Sequence, residues 1–237
     1  MTAPSCPGRP CPVAGPSARL VAAVAGHVLP AGTDLARGHR SDQAAVGFPP
    51  AGAGRPGRFS PLPGVAHTYL ARLASAAVLE TALRDVTAAA PLVTRPHLAG
   101  WAVSNVSTTR PVALADLRGP ALAALELRPE QLTTAGPAHY GCTGRWAAAL
   151  HAAGFDGVIW HSRQAALHRA RVEQVGGLAQ LALTHAAVEV MVYWGRDDDD
   201  LLAPGGSASA SLLRPDGSPD RLVTELAALL GLHLELG

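Results

Sequence analysis

Apolar positions along the chain follow two rhythms. Ala76, Leu79, Leu83 and Val86 recur at helical spacing, which predicts a helix capped by Ser75 and running to about Ala90, where Pro91 stops it. Residues 221–230 carry a similar stripe, predicting a C-terminal amphipathic helix that docks on the domain or on a partner. Residues 143–153 predict an Ala-rich helix ended by Gly154, and residues 18–28 a short one ended by Pro30 and Gly32. Short apolar or β-branched runs predict strands at 67–71, 95–109, 112–117, 122–127, 158–160 and 188–194. Between residues 33 and 58 the pattern is broken by Gly38, Pro49, Pro50, Gly52, Gly54 and Pro56, so this stretch is expected to be a long loop. Such a loop inside a domain is usually functional or mobile, and this one holds Arg37, His39, Arg40, Arg55 and Arg58. Helices and strands interleave, giving a mixed α/β (α+β) class.

The 237 residues suit a single domain. The expected division is a leader at 1–28, a main domain at 29–195, and a tail at 196–237. Residues 1–17 are rich in Pro and Gly and read as a disordered lead-in. The tail opens with four acids at 197–200, read as a solvated turn, then a Gly/Ser/Pro-rich linker before the last helix.

Composition narrows the function classes. With 48% hydrophobic and 16% charged residues, the chain has apolar material for a core and is not a disordered polyelectrolyte. All 19 basic residues are arginine, a bias that GC-rich coding explains. Any phosphate gripped directly by a side-chain cation must therefore meet Arg or protonated His. The net charge of +1 lacks the basic footprint of a dedicated DNA-binding domain. The apolar stretch at 20–29 falls short of the ~18 residues of a spanning helix, so a cytoplasmic protein with no membrane association is expected. Cys6, Cys11 and Cys142 form no disulfide framework and no second Cys pair at ligand spacing. The ten His residues are scattered, and no metal site is expected. No GxGxxG follows a strand, and the Lys-containing phosphate loop, HExxH and GxSxG are absent.

What remains is an ordered set of segments. In sequence these are Leu29-Pro-Ala-Gly-Thr-Asp-Leu-Ala-Arg37-Gly-His39, Gly57-Arg58-Phe59-Ser-Pro, Tyr69-Leu-Ala, and Ala77-Val-Leu-Glu80-Thr-Ala-Leu. Much later come Tyr140-Gly-Cys-Thr-Gly-Arg145-Trp and Gly154-Phe-Asp-Gly157-Val-Ile-Trp-His-Ser162-Arg163. Their order and spacing resemble the RES-domain family, over about residues 29–163, with 188–195 similar to the family's last strand. The resemblance implies a fold like that of ADP-ribosyltransferase toxins, with a cleft for NAD. It also implies NAD degradation by phosphorolysis to nicotinamide and ADP-ribose 1″-phosphate, with NAD and inorganic phosphate as substrates and no resident cofactor. The partner it implies is an antitoxin with an Xre-type helix-turn-helix domain, which would make any nucleic-acid contact. The assembly, a homo-oligomer included, stays open. Gly38 departs from the family pattern, which more often has a β-branched or aromatic residue after the arginine.

Residue chemistry suits that reaction. Breaking the nicotinamide–ribose bond builds positive charge on the sugar, which a carboxylate stabilises best in the transition state, and Glu80 is the candidate. Tyr69 offers an aromatic surface for nicotinamide, and Arg37 and Arg58 offer forked donors for pyrophosphate and phosphate. Ser162 has no identifiable base and is read as a hydrogen-bond donor to a phosphate or ribose oxygen. Arg37, Tyr69 and Glu80 are the catalytic candidates; Arg37, Arg58, Tyr69, Ser162 and His39 are the binding candidates, with Arg163 behind them. His67 and His161 lie near these segments and are read as core or surface histidines. Water or a protein side chain could replace phosphate as acceptor, giving a glycohydrolase or an ADP-ribosyltransferase. A module that binds a nucleotide or partner without turnover is the non-enzymatic alternative.

Overall fold

The strongest apolar runs form the middle of a sheet. In the computed structural model, residues 6, 11–49, 57–60, 62–86, 90–162, 189–195, 200–206 and 209–237 are described. The elements are α1 (Ala18–Ala22), β1 (Gly26–Leu29), β2 (Asp34–Arg40), β3 (Ala66–Ala71), α2 (Ala74–Glu80), β4 (Leu92–Thr94) and α3 (Arg95–Leu98). They continue as β5 (Trp101–Thr108), β6 (Val112–Asp116), α4 (Gly119–Ala124), α5 (Tyr140–Ala152), β7 (Gly157–His161) and β8 (Glu189–Gly195). The last are β9 (Leu202–Pro204), β10 (Ala210–Ser211), α6 (Arg221–Leu230) and β11 (His233–Glu235). The fold is mixed α/β.

Nine strands share one sheet in the order β1-β6-β7-β8-β3-β2-β5-β10, with β9 also paired to β5. Only β6 and β7 run parallel within it. Strands β7 and β8 are buried along nearly their whole length, which is why they read as unbroken apolar runs rather than alternating ones. One face of the sheet carries Ala36, Ala71, Val158, Trp160, Val190 and Val192 into a core shared with Val78 of α2, Trp146 of α5 and Leu226 of α6. The other face carries Leu35, Leu70, Ile159, Met191 and Tyr193 into a second, smaller core.

The β2–β3 junction is unlike its neighbours. Strand β2 pairs with β5 over seven residues, from Asp34↔Ser107 to Arg40↔Trp101, and β3 pairs with β8 over six. Between β2 and β3 a single pair, Ala36↔Ala71, holds. Past that pair the strands part and the sheet opens.

Several expectations need correction. Residues 34–40, expected in a loop, form β2, because backbone pairing with β5 replaces the missing apolar pattern. Residues 122–127, expected as a strand, lie partly in α4: Pro120 near its start and alanines favour a helix, and Glu126 at φ 57° ends it, with Leu127 N–H returning to the Leu122 carbonyl. Residues 95–109 split at Pro96 into the short helix α3 and strand β5, with the Thr94 amide bonded to His97 Nδ1 at 3.0 Å. The expected first helix at 18–28 stops at Ala22, and its last residues, 26–28, belong to β1. Helix α2 ends at Glu80, its N-cap is Leu73 rather than Ser75, and the chain turns thereafter. The linker expected at 201–219 supplies β9 and β10 to the sheet.

The leader also packs. Val13 is in the main core and Trp146 Nε1 donates to the Ala14 carbonyl at 2.6 Å. Helix α6 is capped by the Asp220 side chain on Leu222 N–H and buries Val223, Leu226, Ala227 and Leu230, as its stripe predicts. Arg55, Arg163 and the acids at 197–199 lie outside the described residues.

Candidate functional site

The opening between β2 and β3 is a cavity of about 750 Å³, within the ~300–1,000 Å³ of small-molecule sites. Arg37, His39, Arg58, Tyr69 and Glu80 all line it, as do His67, Thr68, Tyr140 and Trp160. Residues from β2, the turn at 57–60, β3, the end of α2 and the start of α5 thus meet in one place, though up to 123 positions separate them from Arg37 to Trp160. Side chains alternate along a strand, so Arg37 and Thr68 belong to one face and Tyr69 and His67 to the other. The parting of β2 and β3 lets both sets reach one cavity.

Arg37 is 2% exposed. Its Nε donates to Thr68 Oγ1 at 2.9 Å across the gap, and one terminal nitrogen donates to the Ala44 and Ala45 carbonyls at 2.6 and 2.7 Å. Every one of these acceptors is neutral, and among the described residues no carboxylate pairs with it. Burial drives its pKa from the usual 12.5 to about 10, which still leaves the guanidinium charged at neutral pH. A buried cation with neutral acceptors and an adjacent cavity is a site prepared for an anion.

Arg58 is held differently. Its guanidinium donates to the Ala135 carbonyl and lies 5.5 Å from the Tyr140 ring centroid. Its own carbonyl accepts from the Thr143 hydroxyl of α5, which ties the turn at 57–60 to the first turn of α5.

Tyr69 is clamped between aromatic edges, with Trp160 at 6.1 Å and His67 at 6.0 Å, both near perpendicular. Its hydroxyl is 2.9 Å from Ser60 Oγ. Burial pushes the phenol up to about 12 against the opposing pull of Ser60, so it stays protonated at neutral pH. Gly57 makes this possible: a Cβ there would collide with the Tyr69 hydroxyl and sit 2.8 Å from the ring carbon bearing it.

Glu80 closes α2 and accepts a hydrogen bond from the Ser162 hydroxyl, which is fully buried just past β7. The serine reaches the carboxylate rather than standing alone on the cavity wall. His39 is buried, with Nδ1 bonded to the Arg40 carbonyl at 2.8 Å and Nε2 to Ser104 Oγ at 2.7 Å. Since a carbonyl only accepts, Nδ1 carries a proton, and burial favours the neutral ring. Both its nitrogens are already committed.

Gly38 has a packing reason. A side chain there would run into the Thr81 hydroxyl and come within 3.0 Å of the Ala77 carbonyl, so the bare backbone lets α2 lie close against β2. The departure from the family pattern is matched by Thr81, whose hydroxyl turns back onto Ala77 at 2.6 Å.

His67, read from the sequence as a core or surface histidine, lines the cavity and is buried, held below its ordinary pKa by desolvation, and without a hydrogen-bond partner at Nδ1 among the described residues. Its position two residues before Tyr69 on one strand was the available signal, since that spacing shares a face. The three cysteines were read as unrelated, yet Cys6, Cys11 and Cys142 converge with His139.

The split in the sheet brings Arg37, Tyr69 and Glu80, which follow one another in this order along the chain, to one cavity. Residues 34–187 match the RES domain, and the chain belongs to that family. Among solved structures, a chain of the M. tuberculosis MbcT–MbcA toxin–antitoxin complex shares the fold, with TM-score 0.56, 19% identity, and alignment over 90% of this chain and 98% of that one. No curated protein matches the sequence. Among the described residues, no helix is long and apolar enough to cross a membrane.

Proposed function

We propose that this chain is the toxin of a toxin–antitoxin pair and that it destroys NAD by breaking the nicotinamide–ribose bond, with inorganic phosphate as acceptor. The observation that carries the proposal is the Arg37 cation, buried beside a cavity that also presents Tyr69 and Glu80. An NAD pyrophosphate supplies the anion that Arg37 lacks, and Arg58 stands on the same cavity for the second anion. The Tyr69 ring, braced edge-to-face by His67 and Trp160, offers an aromatic contact for the nicotinamide.

A phosphate oxygen forms the new bond to the anomeric carbon of the nicotinamide ribose while the bond from that carbon to the ring nitrogen breaks. The bonding pair leaves with nicotinamide and neutralises its pyridinium charge; the products are nicotinamide and ADP-ribose 1″-phosphate. Positive charge grows on the sugar between these events, and Glu80, steadied by Ser162, opposes it. Ser162 is thus a positioning residue, and His39 shapes the wall with its ring. The antitoxin partner rests on family membership and on the toxin–antitoxin complex that shares the fold.

The test is purified chain, free of any partner, with NAD in the presence and absence of inorganic phosphate. Phosphate-dependent nicotinamide release, with an ADP-ribose 1″-phosphate signal in phosphorus NMR and its loss in Glu80→Gln, is the expected result. Plain ADP-ribose as product would make the enzyme a glycohydrolase, and ADP-ribose attached to protein a transferase. NAD binding in calorimetry without nicotinamide release would replace catalysis by a binding module.

A further inference from the structure

Cys6, Cys11, His139 and Cys142 come from two distant parts of the chain, the Pro/Gly-rich leader and the start of α5. Their ligand atoms all lie within 4.8 Å of one another. The individual separations are informative. Cys11 Sγ is 3.7 Å from Cys142 Sγ, and His139 Nδ1 is 3.5 Å from Cys6 Sγ and 3.8 Å from Cys11 Sγ. Zinc bonds of ~2.3 Å to sulfur and ~2.0–2.1 Å to nitrogen at a tetrahedral angle give edges of about 3.8 Å between sulfurs and about 3.5 Å between sulfur and nitrogen. The three separations of 3.5, 3.7 and 3.8 Å lie within about 0.3 Å of those edges. A disulfide would instead need sulfurs at ~2.05 Å.

Local structure explains the arrangement. His139 ends a 3₁₀ turn at Pro137–His139 and Cys142 follows three residues later in α5, so the two project from one side of a helix start. That end of the helix favours a thiolate. The leader is brought across by Val13, buried in the main core, and by the Trp146 indole on the Ala14 carbonyl. Cys142 is buried while the other three are half-buried, which leaves a path for an ion.

We propose that Cys6, Cys11, His139 and Cys142 form a structural zinc site that pins the leader to the base of α5. Three thiolates and an imidazole nitrogen complete four-coordination, leaving no open position for substrate, so the ion is structural rather than catalytic. Its effect reaches the cavity through the next residue: Tyr140 lies on the cavity wall beneath Arg58, and Thr143 holds the Arg58 carbonyl. The site does not depend on the reaction proposed above.

The experiment is elemental analysis of the full chain purified without a metal-binding tag, followed by cobalt(II) titration of the chelator-stripped protein. One zinc per chain is expected, with intense visible bands of tetrahedral cobalt and a thiolate-to-cobalt charge-transfer band, both bleached by added zinc. Cys6→Ser, a near-isosteric change at a half-buried leader residue on the edge of the main core, should weaken zinc affinity roughly tenfold or more in competition with a chromogenic chelator. Absence of stoichiometric zinc together with weak octahedral cobalt bands would overturn the proposal. So would a protein whose non-reduced mass shows two hydrogens lost to a disulfide among these cysteines, or a Cys6→Ser chain with unchanged zinc affinity. None of these readouts uses NAD turnover.

Discussion

The Ser162 hydroxyl donates its hydrogen bond to Glu80, joining the end of β7 to the end of α2. The carboxylate is thereby fixed by a side chain that itself has no exposed surface, and in the proposed reaction it faces the developing positive charge. Ser162→Ala should lower kcat for nicotinamide release by roughly 10–100-fold with little change in KM, because it removes orientation and leaves the binding groups in place. A steady-state comparison with Glu80→Gln checks this. An equal rise in KM with unchanged kcat would place Ser162 on the substrate instead.

Arg37 makes the second prediction. Its acceptors are neutral and its charge is buried, so Arg37→Met relieves a desolvation penalty but leaves three acceptors without their donor, and should cost the free protein about 1–3 kcal/mol. It should also lose stabilisation by anions. Ligand at a hundred times Kd stabilises by about 2.7 kcal/mol. Thermal melts with saturating ADP-ribose should show that gain in the wild type and none in Arg37→Met.

Gly57→Ala tests the aromatic clamp. Its new Cβ would overlap the Tyr69 hydroxyl, and moving the ring means disturbing Trp160 and His67. A loss of about 1–3 kcal/mol in denaturant unfolding is expected, in the range of an overpacked core. Tyr69→Phe should relieve the collision, so the double variant should recover part of that loss.

Outside the cavity lining, Arg118 binds Asp116 and Glu189 at 2.6 Å each, and Arg72 also reaches Glu189. Burial tends to raise the Asp116 pKa, but hydrogen bonds from Arg118 outweigh it and hold the carboxyl below its ordinary value of 3.8. A depressed folded-state pKa gives stability that is present above the unfolded pKa and lost as pH falls through the folded one. Unfolding free energy should therefore drop below about pH 4. Arg118→Ala should cost about 2 kcal/mol at neutral pH, less than a fully buried pair because the groups are partly exposed. It should also flatten the acid dependence, as urea unfolding across that range would show.

How much of this was legible beforehand depends on whether a residue's job is packing or chemistry. Strands β7 and β8 and helix α6 could be read because their side chains are core and keep the period of the element. Strand β2 could not, since Arg37 and His39 occupy positions where an apolar residue would have announced a strand. That Arg37, Arg58, Tyr69 and Glu80 belong to one group of candidates was legible by their order along the chain, and all four line the cavity. Their meeting place was not, because it arises from one missing length of strand pairing between β2 and β3. The cysteine–histidine cluster was invisible for a similar reason: its two halves are 128 positions apart at Cys11 and His139, and no local spacing links them.

Because Arg37 is held by Thr68, Ala44 and Ala45 before any anion arrives, its grip is preset rather than assembled. Mobile ions in the solvent, which weaken contacts between exposed charges over about 8–10 Å, have little access to it. Capture of a phosphate group at this position should then persist in concentrated salt, where a surface cluster of arginines would let it go.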